Sequence, residues 1–216
     1  MNVLTVYAHH DDPRSVNAAI HARSRDMLES MGHTVTDSDL YALDFEPVLR
    51  ERDLSDRAVS DRFVPSIEIR RALTGGTVPA DIANELEKLR AADLVIFQFP
   101  LWWASVPAIL KGWIDRVLSF AQAADVEALS SRPFLKGKRA MVITTVEAAE
   151  STYSPGDQGG LREILVPLTF NTLAYTGMNV LPTFIVYGAT PDRPDGWITA
   201  QLERLKAHLV LVLTGL

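Results

Sequence analysis

Two adjacent indoles, Trp102 and Trp103, stand just beyond a short apolar run, Leu94-Val95-Ile96-Phe97. Indole rings are flat, apolar and stackable, so a pair of them at the end of a buried segment suits a planar ligand. A second group lies near the N-terminus, where His9, His10 and Arg14 precede Ser15-Val16-Asn17 at the start of a helical pattern. A cation beside the free N–H groups of a helix N-terminus favours phosphate oxygens. A third group, Thr144-Thr145-Val146-Glu147, ends an apolar segment, and a fourth, Tyr153 in YSPGDQGG, supplies a phenol that can donate a hydrogen bond. There is no cysteine, which excludes thiol catalysis, zinc–thiolate sites and disulfides.

These groups must be held by strands and helices whose pattern is legible. The run Leu94–Phe97 reads as a strand buried on both faces, which Pro100 should stop. Ser105 reads as an N-cap, with Pro107 in the first turn of a helix that carries Val106, Ile109, Leu110, Trp113, Ile114, Val117 and Leu118 at helical spacing. Asn2 to Ala8 reads as the first strand, followed by a helix opening at Ser15 with Ala18, Ala19, Ala22, Met27 and Met31 inward. His33 to Leu40 is a second strand. Val48 to Val78 is charged, weakly patterned and expected to be a long excursion. Asp81 to Ala92 is helical. Gly112 stands inside a helix, where close approach of another backbone would account for it. Ala121 to Gly137 is expected to be irregular and Ala140 to Thr145 a strand. A helix from Leu161 to Tyr175 is kinked at Pro167. A strand from Met178 to Tyr187 is broken by Pro182, and so lies at an edge. A closing helix runs from Asp195 to Leu213. Alternating strands and helices imply an α/β protein with a parallel sheet and helices on both faces.

At 216 residues the chain suits one domain spanning 1–216. The formal charge of −6 leaves no basic excess for a nucleic-acid partner. The opening MNVLTVYA does not have the pattern of a signal peptide, and no apolar run approaches the ~20 residues that span a bilayer. A cytoplasmic protein without membrane insertion is the expectation. No GxGxxG follows the first strand, so a Rossmann dinucleotide site is not supported.

The stretch FQFPLWW followed by VPAILKGWIDRV resembles the NAD(P)H:quinone oxidoreductase family, flavoproteins of flavodoxin-like fold. AHHDDPRSVNAAI and DLYALDFEP are similar to further segments of that family. The resemblance implies a five-stranded sheet in the order 2-1-3-4-5, FAD in preference to FMN, NAD(P)H as hydride donor, and a homodimer with its active sites at the interface. It assigns the FAD pyrophosphate and ribose to Ser15, Val16 and Asn17, with Arg14 adding charge and either His9 or His10 in the histidine position. Pro100, Leu101, Trp102, Trp103 and Ala104 would contact the isoalloxazine, and Thr144, Thr145, Val146 and Glu147 its pyrimidine side. Phe63 to Pro65 falls where the family contacts the adenine end from the second subunit.

Three departures stand out. The family's TTGG is Thr144-Thr145-Val146-Glu147 here, and a left-handed turn would be strained by Val146. Gln158 stands where the family has the histidine that relays a proton with the tyrosine matched by Tyr153. Gln122 and Ala124 stand where many members have pocket aromatics, so that Trp103, Ala104, Gln122, Ala124 and Tyr153 would line a wider or more polar substrate pocket. The implied activity is two-electron, ping-pong reduction of a quinone or similar planar aromatic acceptor, with Tyr153 and Gln158 as the catalytic pair. Two alternatives are a tailoring flavoenzyme acting on a polycyclic biosynthetic intermediate, and a flavin-binding regulatory subunit of a partner such as a potassium-efflux system.

Overall fold

The computed structural model describes residues 1–10, 14–153 and 160–214. Gln158, Asp11 and Asp12 lie outside the described residues.

The central strand carries the highest density of burial. All seven residues of β3 (Leu94–Pro100) are buried, as expected of a strand covered on both faces. It extends three residues beyond the apolar run and includes Pro100. The proline occupies the last position, and the next N–H, of Leu101, continues the ladder to Thr145 O at 2.9 Å. Against β3 lie β1 (Asn2–Tyr7) and β4 (Arg139–Thr145), both parallel to it. Outside β1 runs β2 (Thr34–Asp39). The last strand is broken around Pro182 into β5 (Asn179–Val180) and β6 (Phe184–Val186), which both pair with β4 at the sheet edge. The resulting order, β2-β1-β3-β4-β5, is that of the flavodoxin-like fold.

Two apolar layers cover the sheet. One face packs on α1 (Val16–Ser30) and α8 (Trp197–Thr214) through Ile20, Leu28, Leu205 and Leu209. Helix α1 turns a different face inward from that expected. Val16, Asn17, Ile20, Ser24, Met27 and Leu28 are buried, while Ala22 is exposed, because polar Asn17 and Ser24 belong to the inner stripe and mask its period. The other face packs on α3 (Ala80–Ala91), α4 (Ala108–Trp113) and α5 (Ser119–Val126).

Between α4 and α5 the helix widens into a π turn, Ile114–Leu118, so helical structure persists to Val126 where irregular chain was expected. Within that turn Arg116, 2% exposed, donates to Glu46 O at 2.7 Å and pairs with Asp81, its guanidinium over the Phe45 ring. One turn earlier, a Cβ on Gly112 would stand 2.2 Å from Pro47 O. The glycine is there because the 45–47 backbone lies directly on the helix. Ser105 is not the cap of α4. Pro107 holds that position, and Ser105 is engaged by Trp102.

The excursion is only partly irregular. It contains a short 3-10 turn, Glu51–Asp53, and the helix α2 (Pro65–Gly75), which buries Ile69 and Ala72. Charges hide this helix in the sequence. Glu68 is fully buried, accepting from the N–H groups of Ala58 (2.7 Å) and Val59 (3.0 Å) and pairing with Arg57. Those partners hold its carboxyl below the usual range against the opposing effect of burial. After β4 come α6 (Leu161–Ile164), α7 (Val166–Leu168) and a second π turn, Thr169–Ala174, the break falling two residues before Pro167. No helix of the described residues is long and apolar enough to cross a membrane.

Candidate active site

The carboxyl ends of β1, β3, β4 and β6 reach the same sheet edge, and the loops that leave them enclose a cleft of about 1030 Å³. A crevice at this edge is where ligands bind in open α/β sheets.

The β1 exit supplies His9, His10, Arg14 and the start of α1. Ser15 is the N-cap, its Oγ accepting from Ala18 N–H at 3.0 Å. Asn17, 5% exposed, donates Nδ2 to Thr145 Oγ1 at 2.7 Å. Its Oδ1 is buried and has no hydrogen-bond partner among the described residues. His9 is buried and His10 exposed, their rings 4.2 Å apart.

The β3 exit is a tight turn. Trp102 and Ser105 exchange two backbone hydrogen bonds of 3.0 Å, and the two residues between them are left-handed, Trp103 at φ 52° and Ala104 at φ 57°. That pair of angles defines a type I′ turn, which normally selects Asn and Gly. A tryptophan and an alanine there store backbone strain. The turn holds Trp103 fully exposed at the cleft mouth, with Trp102 half-exposed beside it.

The β4 exit adds Thr145, Val146, Glu147 and Ala148. Neither Val146 nor Glu147 has a positive φ, so the strain that a left-handed turn would impose on Val146 does not arise. The loop instead clips to β6 and the segment after it: Val146 N–H donates to Val186 O, Ala189 N–H to Val146 O and Gly188 N–H to Ala148 O, at 2.9 to 3.0 Å. The N–H groups of Glu147 and Ala148 make no backbone hydrogen bond among the described residues. Tyr153, on a 3-10 turn (Glu150–Tyr153), closes this side 6.0 Å from the Tyr187 ring. Burial and the nearby Glu150 carboxylate raise the Tyr187 phenol above its usual range.

The cleft therefore brings together most of the residues singled out in the sequence: His9, His10, Arg14 to Asn17, Pro100 to Trp103, Thr145 to Glu147, and Tyr153. Ala104 and Thr144 do not line it. The Thr144 side chain is buried in the sheet, with its Oγ1 unpaired among the described residues. Gln122 and Ala124 are also outside the cleft of this single chain. Both lie on α5, and Ala124 is 1% exposed in the core, so its side chain does not face a pocket.

One wall was not foreseen. Ala189, Thr190, Pro191 and Arg193 follow β6 and face α1. The Arg193 guanidinium donates to Thr190 O at 3.2 Å and Arg14 O at 3.3 Å, joining the two rims. The signal was present: a loop leaving a strand beside β4 must emerge at the same crevice. Among the described residues no group of three or more His, Asp or Glu side chains is placed to hold a metal ion.

Comparison with known proteins agrees with this geometry. A family described as having the flavodoxin-like fold matches residues 1–209, and the chain belongs to it. The human ribosyldihydronicotinamide dehydrogenase [quinone] is 39% identical over 209 residues, covering 94% of this chain and 90% of that protein. The rat NAD(P)H dehydrogenase [quinone] 1 is 35% identical over 205 residues, covering 94% and 74%. A candidate quinone reductase from Klebsiella pneumoniae superposes with a TM-score of 0.86 at 36% identity, covering 98% of this chain and 84% of that one. Within the flavodoxin-like family the chain is thus a member of the NAD(P)H:quinone oxidoreductases, and it is an oxidoreductase.

Proposed function

We propose that residues 1–216 form one domain that binds FAD in this cleft and reduces a quinone or similar planar acceptor by two electrons, with NAD(P)H as donor. The observation that carries the proposal is the convergence of a capped helix N-terminus, an exposed indole pair and free loop N–H groups on one cleft.

The donor set fits a flavin dinucleotide. The uncapped N–H groups at the start of α1, with Arg14 and Arg193 beside them, suit phosphate oxygens. Asn17 Oδ1 is a buried acceptor without a partner among the described residues, suited to a ribityl hydroxyl. Trp102 and Trp103 offer flat apolar surface to the ring system, and the Glu147 and Ala148 N–H groups suit the carbonyl edge of a pyrimidine ring. The bound flavin would supply hydride-transfer chemistry, and the protein supplies position and electrostatics. Trp103 stands at the open mouth of the cleft, where donor and acceptor would stack in turn, as a ping-pong sequence requires. Reduction of a quinone needs a proton as well as a hydride, and Tyr153, which lines the cleft, would donate one.

The named relatives act on quinones, which supports this acceptor class. Full exposure of Trp103, with Phe170 and Tyr175 also largely exposed, supports a homodimer that covers apolar surface and completes the site. Three measurements test the proposal. Released cofactor should chromatograph as FAD, initial rates against NAD(P)H and quinone should give parallel double-reciprocal lines, and sedimentation should show a dimer. Release of FMN would overturn the dinucleotide assignment, and intersecting lines the ping-pong assignment. A monomer at all concentrations would overturn the shared site.

A further inference from the structure

Gln98 is a polar side chain where an apolar one would serve the core better. It lies on β3 with 0% exposure, and strand alternation puts it on the same face as Leu94 and Ile96, in the layer beneath α1. Its Nε2 donates to Asn17 O at 2.8 Å, across 81 residues of sequence. Its Oε1 is buried without a hydrogen-bond partner among the described residues. A lone buried carbonyl oxygen costs stability. Asn17 O, in the first turn of α1, would retain its in-helix acceptor role without Gln98. The bond is therefore not needed to satisfy the backbone.

What the bond does is geometric. The Asn17 side chain is tied to Thr145 on β4, and its main chain is tied to Gln98 on β3. The Gln98 carbonyl also accepts from Ala8 N–H at 2.9 Å, so this one residue holds both the end of β1 and the first turn of α1. His9, His10, Arg14 and Ser15, the described residues between them, line the cleft wall assigned to phosphate. We propose that Gln98 is a positioning residue for the flavin site: it fixes the height and rotation of the α1 N-terminus over the sheet, at a cost to the stability of the core. This inference rests on the flavin reading given above.

The test uses Gln98→Met, close in size and shape, with Gln98→Leu as a second variant should the first pack poorly. Two quantities are measured on the full chain: thermal stability of the flavin-free protein, and the dissociation constant for FAD by quenching of flavin fluorescence. The expected result is an apo Tm unchanged or raised by about 1–3 °C, with FAD bound roughly tenfold more weakly. Loss of a residue with only a structural role would lower the apo Tm and weaken FAD binding together. Unchanged FAD affinity in both variants, or weaker binding accompanied by a clear fall in apo Tm in both, would overturn the proposal. If the wild-type protein itself fails to bind FAD, the flavin reading falls first. That outcome is distinct, because it appears before any substitution is made.

Discussion

At the scale of single residues, the cleft is built from side chains that local preference would not choose. Trp103 and Ala104 both occupy left-handed backbone. Ala104→Gly should stabilise the protein by about 0.5–1 kcal/mol, since relief of an αL alanine exceeds the added freedom of the unfolded chain. A urea titration with unchanged slope checks this, and a loss of stability would contradict the strain argument. Glu147 puts a carboxylate where the resemblance leads to glycine, on the wall assigned to the pyrimidine edge. A negative charge there opposes electron uptake. Glu147→Gln should raise the two-electron potential of the bound flavin by roughly 20–40 mV. An unchanged potential in a redox titration would place the side chain away from the ring. The residue types were readable because indoles, a capped helix start and a lone tyrosine each carry their own chemistry. The turn type at Trp102–Ser105 was not readable, because a Trp-Ala pair is a poor type I′ sequence and only the surrounding fold enforces it.

At the scale of elements, two contacts decide how the site is carried. Gly112 lets the 45–47 backbone rest on α4, the helix that follows the Trp loop. Gly112→Ala gains about 1 kcal/mol of helix propensity, but a methyl group 2.2 Å from a backbone oxygen must push two elements apart. The net effect should be a loss of about 2 kcal/mol, measured by denaturant unfolding. A stabilised variant would contradict the close approach. At the opposite end of the sheet, Lys138 closes the C-terminus of α3, its Nζ donating to Ala92 O at 2.5 Å and Arg90 O at 3.1 Å. Burial, with a smaller effect of Arg132, lowers it from 10.5 to about 8. The unfolded chain therefore binds a proton below about pH 10.5 that the folded chain takes up only below about pH 8. Stability should rise with pH across that window and be lost as pH falls through it. Lys138→Met should flatten that part of the profile by about 1–2 kcal/mol, solvent screening allowed for. An identical pH dependence in the two proteins would refute this. The strands and most helices were legible from apolar runs and periodicity. The helix Pro65–Gly75 was not, because a buried Glu68 paired with Arg57 breaks the apolar period. Nor was the continuation to Val126, because a π turn shifts the register of the inward face.

At the scale of the whole molecule, the parallel order β2-β1-β3-β4-β5 brings residues 9–10 and 14–17, 100–105, 145–153 and 189–193 to one edge. Strand alternation and the family resemblance made the first three legible as parts of one site. The fourth was missed because a single arginine in GATPDRP reads like any surface cation, and only the strand order reveals where the loop emerges. What one chain leaves open is the outer face of Trp103. The central claim is that this cleft holds a flavin that NAD(P)H reduces and a quinone reoxidises. The most direct test is the visible absorbance spectrum of the purified, FAD-reconstituted protein during anaerobic addition of NADPH and then of a quinone. The account predicts a flavin spectrum that bleaches with about one equivalent of NADPH, without a persistent radical, and returns with about one equivalent of quinone. A protein that takes up no flavin, or binds one that neither NADPH nor NADH reduces, would contradict it.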